Sequence, residues 1–256
     1  MQLKDRIAIV TGGANGIGRA IVNRLGREGA SVVVADIDAK QARRVVAEAN
    51  GLGYEVMFMK ADVTRMAEVK QMVKNVLKKF KRIDILVNNA GVLAKGKPSP
   101  FHEKTEDAWD YVINVNLKGM FNCTRAVIEH MIRMKSGKIV NISSTSGLVG
   151  FPGLVDYSAS KAGVIGFTMA LAKEVSTYGI NVNAVAPGAT ETEMVKHLMS
   201  KMKRREINNL KQLSGFGRLG KPEEIAAAVA FLTTKDADFI TGQVLPVCGL
   251  RNIGRS

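Results

Sequence analysis

The segment TGGANGIG at positions 11–18 constrains this chain more than any other stretch of it. It stands between an apolar run at 7–10 and an amphipathic stretch at 18–27. A strand that ends in a glycine-rich turn and opens straight into a helix makes a cradle for phosphate. Glycines let the backbone approach a pyrophosphate, and the free N–H groups at the helix N-terminus present partial positive charge to the anion. Asp36 closes the next apolar run, 31–35, at a spacing of 20 from Gly16. A carboxylate there can accept both hydroxyls of an adenosine ribose, which completes a βαβ dinucleotide fingerprint.

The rest of the chain alternates regularly. Short β-branched runs at 7–10, 31–35, 55–59, 83–87, 138–142, 180–185 and 243–247 are separated by helix-length amphipathic segments. Such alternation implies parallel strands joined by right-handed crossovers, hence an α/β doubly wound sheet of seven strands with helices on both faces. No linker, repeat or low-complexity run interrupts it, so residues 1–256 read as a single dinucleotide-binding domain of Rossmann type. Ligands in such a sheet sit at the carboxyl ends of the strands. Those ends carry Asp62-Val63, Asn88-Asn-Ala-Gly91, Ser143-Ser144 and Pro187-Gly188.

Tyr157 and Lys161 then open a long helix. Positions i and i+4 share a helical face, so an ammonium can sit near a phenol and favour its ionised form. A phenol with a free pKa of ~10 needs such a neighbour to act as a general acid or base near neutrality.

With these motifs in this order, the chain resembles the short-chain dehydrogenase/reductase family over essentially its whole length. Within the family it is similar to bacterial 3-oxoacyl-carrier-protein reductases and to NAD-dependent secondary-alcohol dehydrogenases. The resemblance implies a catalytic set of Asn116, Ser144, Tyr157 and Lys161. Tyr157 would exchange a proton with the substrate oxygen, and Ser144 would hold that oxygen beside the phenol. Lys161 would bind the nicotinamide ribose and lower the tyrosine pKa; Asn116 would hold a relay water. Asn114 and Ser143 are the neighbouring alternatives, although strand alternation points Ser143 away from Ser144. The resemblance further implies a cofactor bed of Gly12, Asn15, Gly16, Ile17, Gly18, Asp36, Ile37, Asp62, Val63, Asn89, Ala90, Gly91, Pro187, Gly188 and Thr190, joined by Tyr157 and Lys161. No metal is implied.

Charge argues for NAD. Carboxylates at Asp36 and Asp38 would repel a 2′-phosphate, and Asn15 stands where NADP-preferring relatives carry a basic side chain. The expected reaction is interconversion of a secondary alcohol and a ketone; the alternative is reduction of a 3-oxoacyl group on a carrier protein or CoA. The substrate wall between Ser144 and Tyr157 is mostly apolar, and 190–215 resembles the family's mobile lid. The lid holds a basic cluster at 201–205, and the chain as a whole carries a formal charge of +14. That charge suits an acidic or carrier-linked substrate, or a plain solvated surface. A non-catalytic dinucleotide- or nucleic-acid-binding module is the remote alternative, without a recognisable nucleic-acid-reading motif. Lys135 fits a carrier-binding position of the family, whereas Tyr178 departs from it, as does Val247-Cys-Gly-Leu250 where relatives show Asp-Gly-Gly.

Cys123 and Cys248, both in apolar surroundings, read as buried thiols of a reducing compartment. With no apolar stretch near the ~20 residues a membrane span needs, and no recognisable leader, a cytoplasmic location is expected. Apolar residues occupy more than one face of the helix that Tyr157 opens, among them Val164, Ile165, Phe167, Met169, Leu171 and Val175. One stripe packs on the sheet; the family resemblance gives the other to a second subunit, so a homotetramer is expected, with a homodimer as the lesser assembly.

Overall fold

The computed structural model describes residues 1–95, 98–200 and 204–250. Three positions of the basic cluster, 201–203, and the tail at 251–256 lie outside the described residues. Seven strands form one sheet: β1 (Ile7–Thr11), β2 (Ser31–Asp36), β3 (Val56–Lys60), β4 (Ile85–Asn88), β5 (Gly137–Ile142), β6 (Ile180–Pro187) and β7 (Val244–Val247). Their order is β3-β2-β1-β4-β5-β6-β7, and every pairing is parallel. The chain winds outward from β1 in one direction, then returns and winds outward in the other. This is the expected doubly wound fold. Its switch point lies between β1 and β4, where a ligand crevice belongs.

Strand alternation feeds two cores. Ala8, Val10, Val32, Val34, Ile85 and Val87 face the helices α1 (Gly16–Arg27), α2 (Ala39–Gly51) and α10 (Pro222–Thr233). Ile7, Ile9, Val33, Leu86 and Ile139 face α3 (Met66–Phe80), α5 (Gly119–Met134) and α7 (Val155–Val175). Side chains two apart point the same way, so nearly unbroken apolar strands are what a sheet covered on both faces requires.

Three elements depart from the expected layout. The fourth strand starts at Ile85, not 83, because Asp84 anchors the corner beneath it. Its carboxylate accepts the Ile7 N–H at 2.9 Å and pairs with Arg6 and Arg82. Burial pushes the Asp84 carboxyl up, yet hydrogen bonds from Arg82, Ile7 and Arg6 outweigh it and hold the pKa below the ordinary value. The run leading into α5 is α4 (Glu106–Ile113) followed by a wide π turn, Asn114–Lys118. The lid stretch divides into α8 (Glu193–Met199) and α9 (Arg204–Gln212). Cys123 is buried as expected, which raises its thiol to about 12, but Cys248 is only half-buried. Among the described residues, no helix is long and apolar enough to cross a membrane.

Leu86 is fully enclosed in the second core. Leu86→Ala is expected to cost about 2–5 kcal/mol in urea denaturation. The same truncation at Leu52, which is 65 % exposed, should stay within about 0.5 kcal/mol.

Candidate active site

A cleft of about 910 Å³ opens along the carboxyl ends of the strands. Gly12, Asn15, Gly16, Ile17 and Gly18 line one part of it, with Asp36, Ile37, Asp62 and Val63 beside them. Asn89, Ala90 and Gly91 form the middle. Ser144, Tyr157, Lys161, Pro187, Gly188 and Thr190 form the other end, closed off by Thr192 and the start of α8. Every residue of the expected catalytic set and cofactor bed therefore lies on one cleft except Asn116, which is buried just behind it.

The glycine turn has its shape for steric reasons. Gly12 and Gly16 hold φ of +62° and +50°, where L side chains are strained. A Cβ on Gly18 would fall 2.1 Å from the Gly12 carbonyl oxygen, and one on Gly12 would fall 2.8 Å from the Ala90 Cα. The turns after β1 and β4 thus pass each other without side chains between them. Polar groups lock that approach. The Thr11 hydroxyl accepts the N–H groups of Asn89 and Ala90 at 3.0 Å, and the Asn89 amide donates to the carbonyls of Thr11 and Gly12. Helix α1 begins without a side-chain cap at Asn15, so its first N–H groups remain available to an anion. The stripped turn and the uncapped helix fit a dinucleotide pyrophosphate. Asp36 stands at the neighbouring strand end, where its two oxygens accept the N–H groups of Ala14 and Asp38, both at 3.0 Å.

At the opposite end, β5 delivers Ser143 and Ser144 with opposite orientations, as alternation predicts. The Ser143 hydroxyl turns to the Lys161 carbonyl at 2.8 Å, while Ser144 hydrogen-bonds the Tyr157 phenol. Lys161 is almost wholly buried; its Nζ donates to the Ile142 carbonyl at 2.9 Å and lies 5.7 Å from the centre of the Tyr157 ring. Asn116 sits in the π turn, a device that often re-aims side chains at functional sites. Its amide donates to the Val92 carbonyl and the Ser160 hydroxyl, and Oδ1 accepts the Val92 N–H. Both donors are committed, so one lone pair of Oδ1 is what the side chain has left for a water.

One expectation needs correction. The Tyr157–Lys161 spacing suggests a phenol pulled below its free value, yet burial raises Tyr157 above 10.0, and the Ser144 hydrogen bond offsets this only in part. The lysine is itself desolvated, and burial lowers it to about 8. Proximity alone does not ionise the phenol when both groups are withdrawn from water. Sequence reasoning also passed over Thr11 as a stitch between the turns and Ser160 as the Asn116 partner. It missed Lys95, Asp110, Tyr111 and Lys118 on the cleft wall as well. Thr11 was legible as the first letter of the glycine motif; the others carry no local signal.

Comparison with known proteins agrees with this geometry. The sequence pattern of short chain dehydrogenases matches residues 6–203. The chain is 42% identical over 249 residues to a 3-oxoacyl-[acyl-carrier-protein] reductase of Thermotoga maritima, covering 97% of this chain and 98% of that one. It is 44% identical over 253 residues to a (2S)-[(R)-hydroxy(phenyl)methyl]succinyl-CoA dehydrogenase subunit of Thauera aromatica, covering 99% of each. Among solved structures, an actinorhodin polyketide ketoreductase variant with NADPH superposes with a TM-score of 0.92 at 35% identity, covering 98% of this chain and 99% of that one.

The depressed Lys161 has a measurable consequence. Between about pH 8 and the ordinary lysine value of 10.5 the folded chain has released a proton that the unfolded chain still holds. Stability attributable to this group must then rise with pH across that window. In nucleotide-free protein, the unfolding free energy of wild type minus that of Lys161→Met should grow by at most about 3 kcal/mol from pH 7 to pH 10.5. A flat or falling difference in urea titrations would show that the ammonium is held charged.

Proposed function

The chain belongs to the short-chain dehydrogenase family, and we propose that it interconverts 3-oxoacyl and 3-hydroxyacyl thioesters with NAD(H). Its class, an oxidoreductase acting on CH–OH groups with a nicotinamide cofactor, follows from the family. The observation that carries the carbonyl–alcohol chemistry is the Ser144–Tyr157 hydrogen bond with buried Lys161 behind it, at one end of a cleft whose other end fits a dinucleotide.

In this reading the Tyr157 phenol gives its proton to the substrate oxygen during reduction and takes it back during oxidation. The Ser144 hydroxyl holds that oxygen in line. Lys161 orients the ribose and feeds the proton lost from Tyr157. Asn116 keeps the segment after β4 against α7 through Val92 and Ser160. The nicotinamide, when bound, supplies or accepts the hydride. Pro187, Gly188 and Thr190 would hold its carboxamide, Asp62 and Val63 the adenine, and Asn89 to Gly91 the adenosine side. Of the expected lid, Thr192 and the start of α8 line the cleft and would cover the substrate.

NAD is favoured over NADP by what surrounds Asp36. No arginine lines the cleft among the described residues, and its lysines, Lys95, Lys118 and Lys161, come from neither β2 nor the segment after it. A 2′-phosphate would meet the Asp36 carboxylate without a compensating cation. The thioester reading replaces a generic secondary alcohol because the two curated relatives are both named for acyl groups on a carrier or on CoA. A basic chain suits either anionic handle.

Two further features support a homotetramer. Phe121 and Met169 on α5 and α7 are 46% and 45% exposed, and Phe231 and Leu245 on α10 and β7 are 42% and 38% exposed. Light scattering should then give a mass near 110 kDa from copies of 27.6 kDa; a 27.6 kDa particle at micromolar concentration would refute the assembly.

Steady-state kinetics test the reaction. With NADH, kcat/KM for acetoacetyl-CoA or a carrier-linked 3-oxoacyl group should exceed that for a simple ketone by about tenfold or more, reflecting remote binding energy. Parity would leave a free alcohol or ketone as the substrate class. Asp36→Ala should narrow the preference for NADH over NADPH by about 1.5–3 kcal/mol. Tyr157→Phe should abolish turnover while NADH fluorescence still reports binding. An NADPH preference in wild type would overturn the cofactor reading.

A further inference from the structure

Lys104 and Asp156 form an ion pair with both charges out of water. Their side chains are 5% and 0% exposed, with Nζ 2.9 Å from Oδ1 and 3.0 Å from Oδ2. Among the described residues, each other ion pair keeps at least one side chain 34% or more exposed. A buried pair is a poor stabiliser, since desolvation cancels most of its attraction, and its better-attested use is to fix geometry. Its location is informative. Asp156 immediately precedes Tyr157, and its Oδ1 also accepts the Tyr157 backbone N–H at 3.0 Å. Lys104 belongs to the segment 98–105 that carries the chain from the β4 end to α4.

These two stretches are clasped twice. Besides the ion pair, the Ser99 N–H donates to the Gly153 carbonyl at 3.2 Å. Helix α7 begins at Val155, and Leu154 before it provides no side-chain cap. Tyr157 therefore sits in a first turn whose N–H groups have no helical partners, the part of a helix most prone to fray. The Asp156 carboxylate takes one of those N–H groups, and Lys104 holds the carboxylate.

We propose that Lys104, acting through Asp156, is a positioning residue for Tyr157: the pair fixes the first turn of α7 against segment 98–105 and so sets where the phenol meets the substrate oxygen. This rests on the reading of Tyr157 as the proton-transferring group. Lys104 lies 53 positions from Tyr157 in sequence and touches neither substrate nor cofactor in this account. It contributes only while the Asp156 carboxylate is present.

A double-mutant cycle on the full-length enzyme tests this, with Lys104→Met, Asp156→Asn and the double variant alongside Tyr157→Phe. Readouts are kcat for acetoacetyl-CoA reduction, the NADH dissociation constant by fluorescence, and thermal melts to choose a temperature at which every variant is folded. Each single variant should lose kcat by about 10²-fold, the scale of an ångström-level misplacement, with NADH affinity changed less than about twofold. The double variant should be no slower than Asp156→Asn. A Lys104→Met enzyme within about threefold of wild-type kcat, with only its melting point lowered, would make the pair merely structural. Multiplicative losses in the double variant would mean that Lys104 acts on its own, and a loss confined to NADH affinity would place its effect elsewhere. Any of the three overturns the proposal. If Lys104→Met does not fold, Lys104→Gln, which removes the charge and ends one bond short of the lysine nitrogen, takes its place in the cycle. An active Tyr157→Phe enzyme would instead overturn the reading of Tyr157, whatever the cycle returns.

Discussion

The cleft exists because two strand-end turns approach each other with no side chain between them. The β1 turn and the β4 turn come so close that a single Cβ on Gly12 would meet the Ala90 backbone. Thr11 and Asn89 then tie the two together through four hydrogen bonds. This contact lies at the switch point of the sheet, where the strand order reverses and no crossover helix covers the strand ends. Everything chemical is hung on this seam: the uncapped start of α1 on one side, Gly91 and Asn116 behind it, and the end of β5 with Ser144 on the other.

Burial then sets the proton chemistry. Free tyrosine and lysine have similar pKa values. In the cleft they move apart, with the phenol above 10.0 and the ammonium at about 8. Both shifts arise from the same cause, because desolvation disfavours whichever form carries charge. A phenol that keeps its proton is suited to donating it. Oxidation asks for the phenolate, which needs the charge environment changed around it.

What the sequence made legible was whatever the chain writes in contiguous letters. The glycine turn, the polar strand ends and the Tyr157–Lys161 pair each lie within a few residues, where strand and helix periods convert spacing directly into geometry. The seven strands were legible for the same reason, since burial on both faces leaves them continuously apolar. The misses are long-range or steric. Lys104 reads as an ordinary lysine before a helix, and only the fold brings it to Asp156, 52 positions away. The shortened start of β4 depends on Arg6, Ile7 and Arg82 converging on Asp84. The sense of the Tyr157 shift depends on how thoroughly the site excludes water, which spacing does not encode.

Asp36, the proposed determinant of cofactor choice, is also part of the scaffold that holds the turn. Its two oxygens already accept the N–H groups of Ala14 and Asp38. The same charge that would repel a 2′-phosphate therefore also closes the turn over the glycine motif. Removing the carboxylate leaves the part-buried Ala14 N–H to find another partner, a cost of about 1–3 kcal/mol if it fails, while the exposed Asp38 N–H can turn to water. A relative that uses a 2′-phosphorylated cofactor must replace both roles, with a cation for the phosphate and another acceptor for the turn. Replacing Asp36 alone relaxes discrimination by loosening the bed as well as by removing the repulsion. Such a variant can lose affinity for NADH without gaining much for NADPH, because a site that has lost its anion has not thereby acquired a cation.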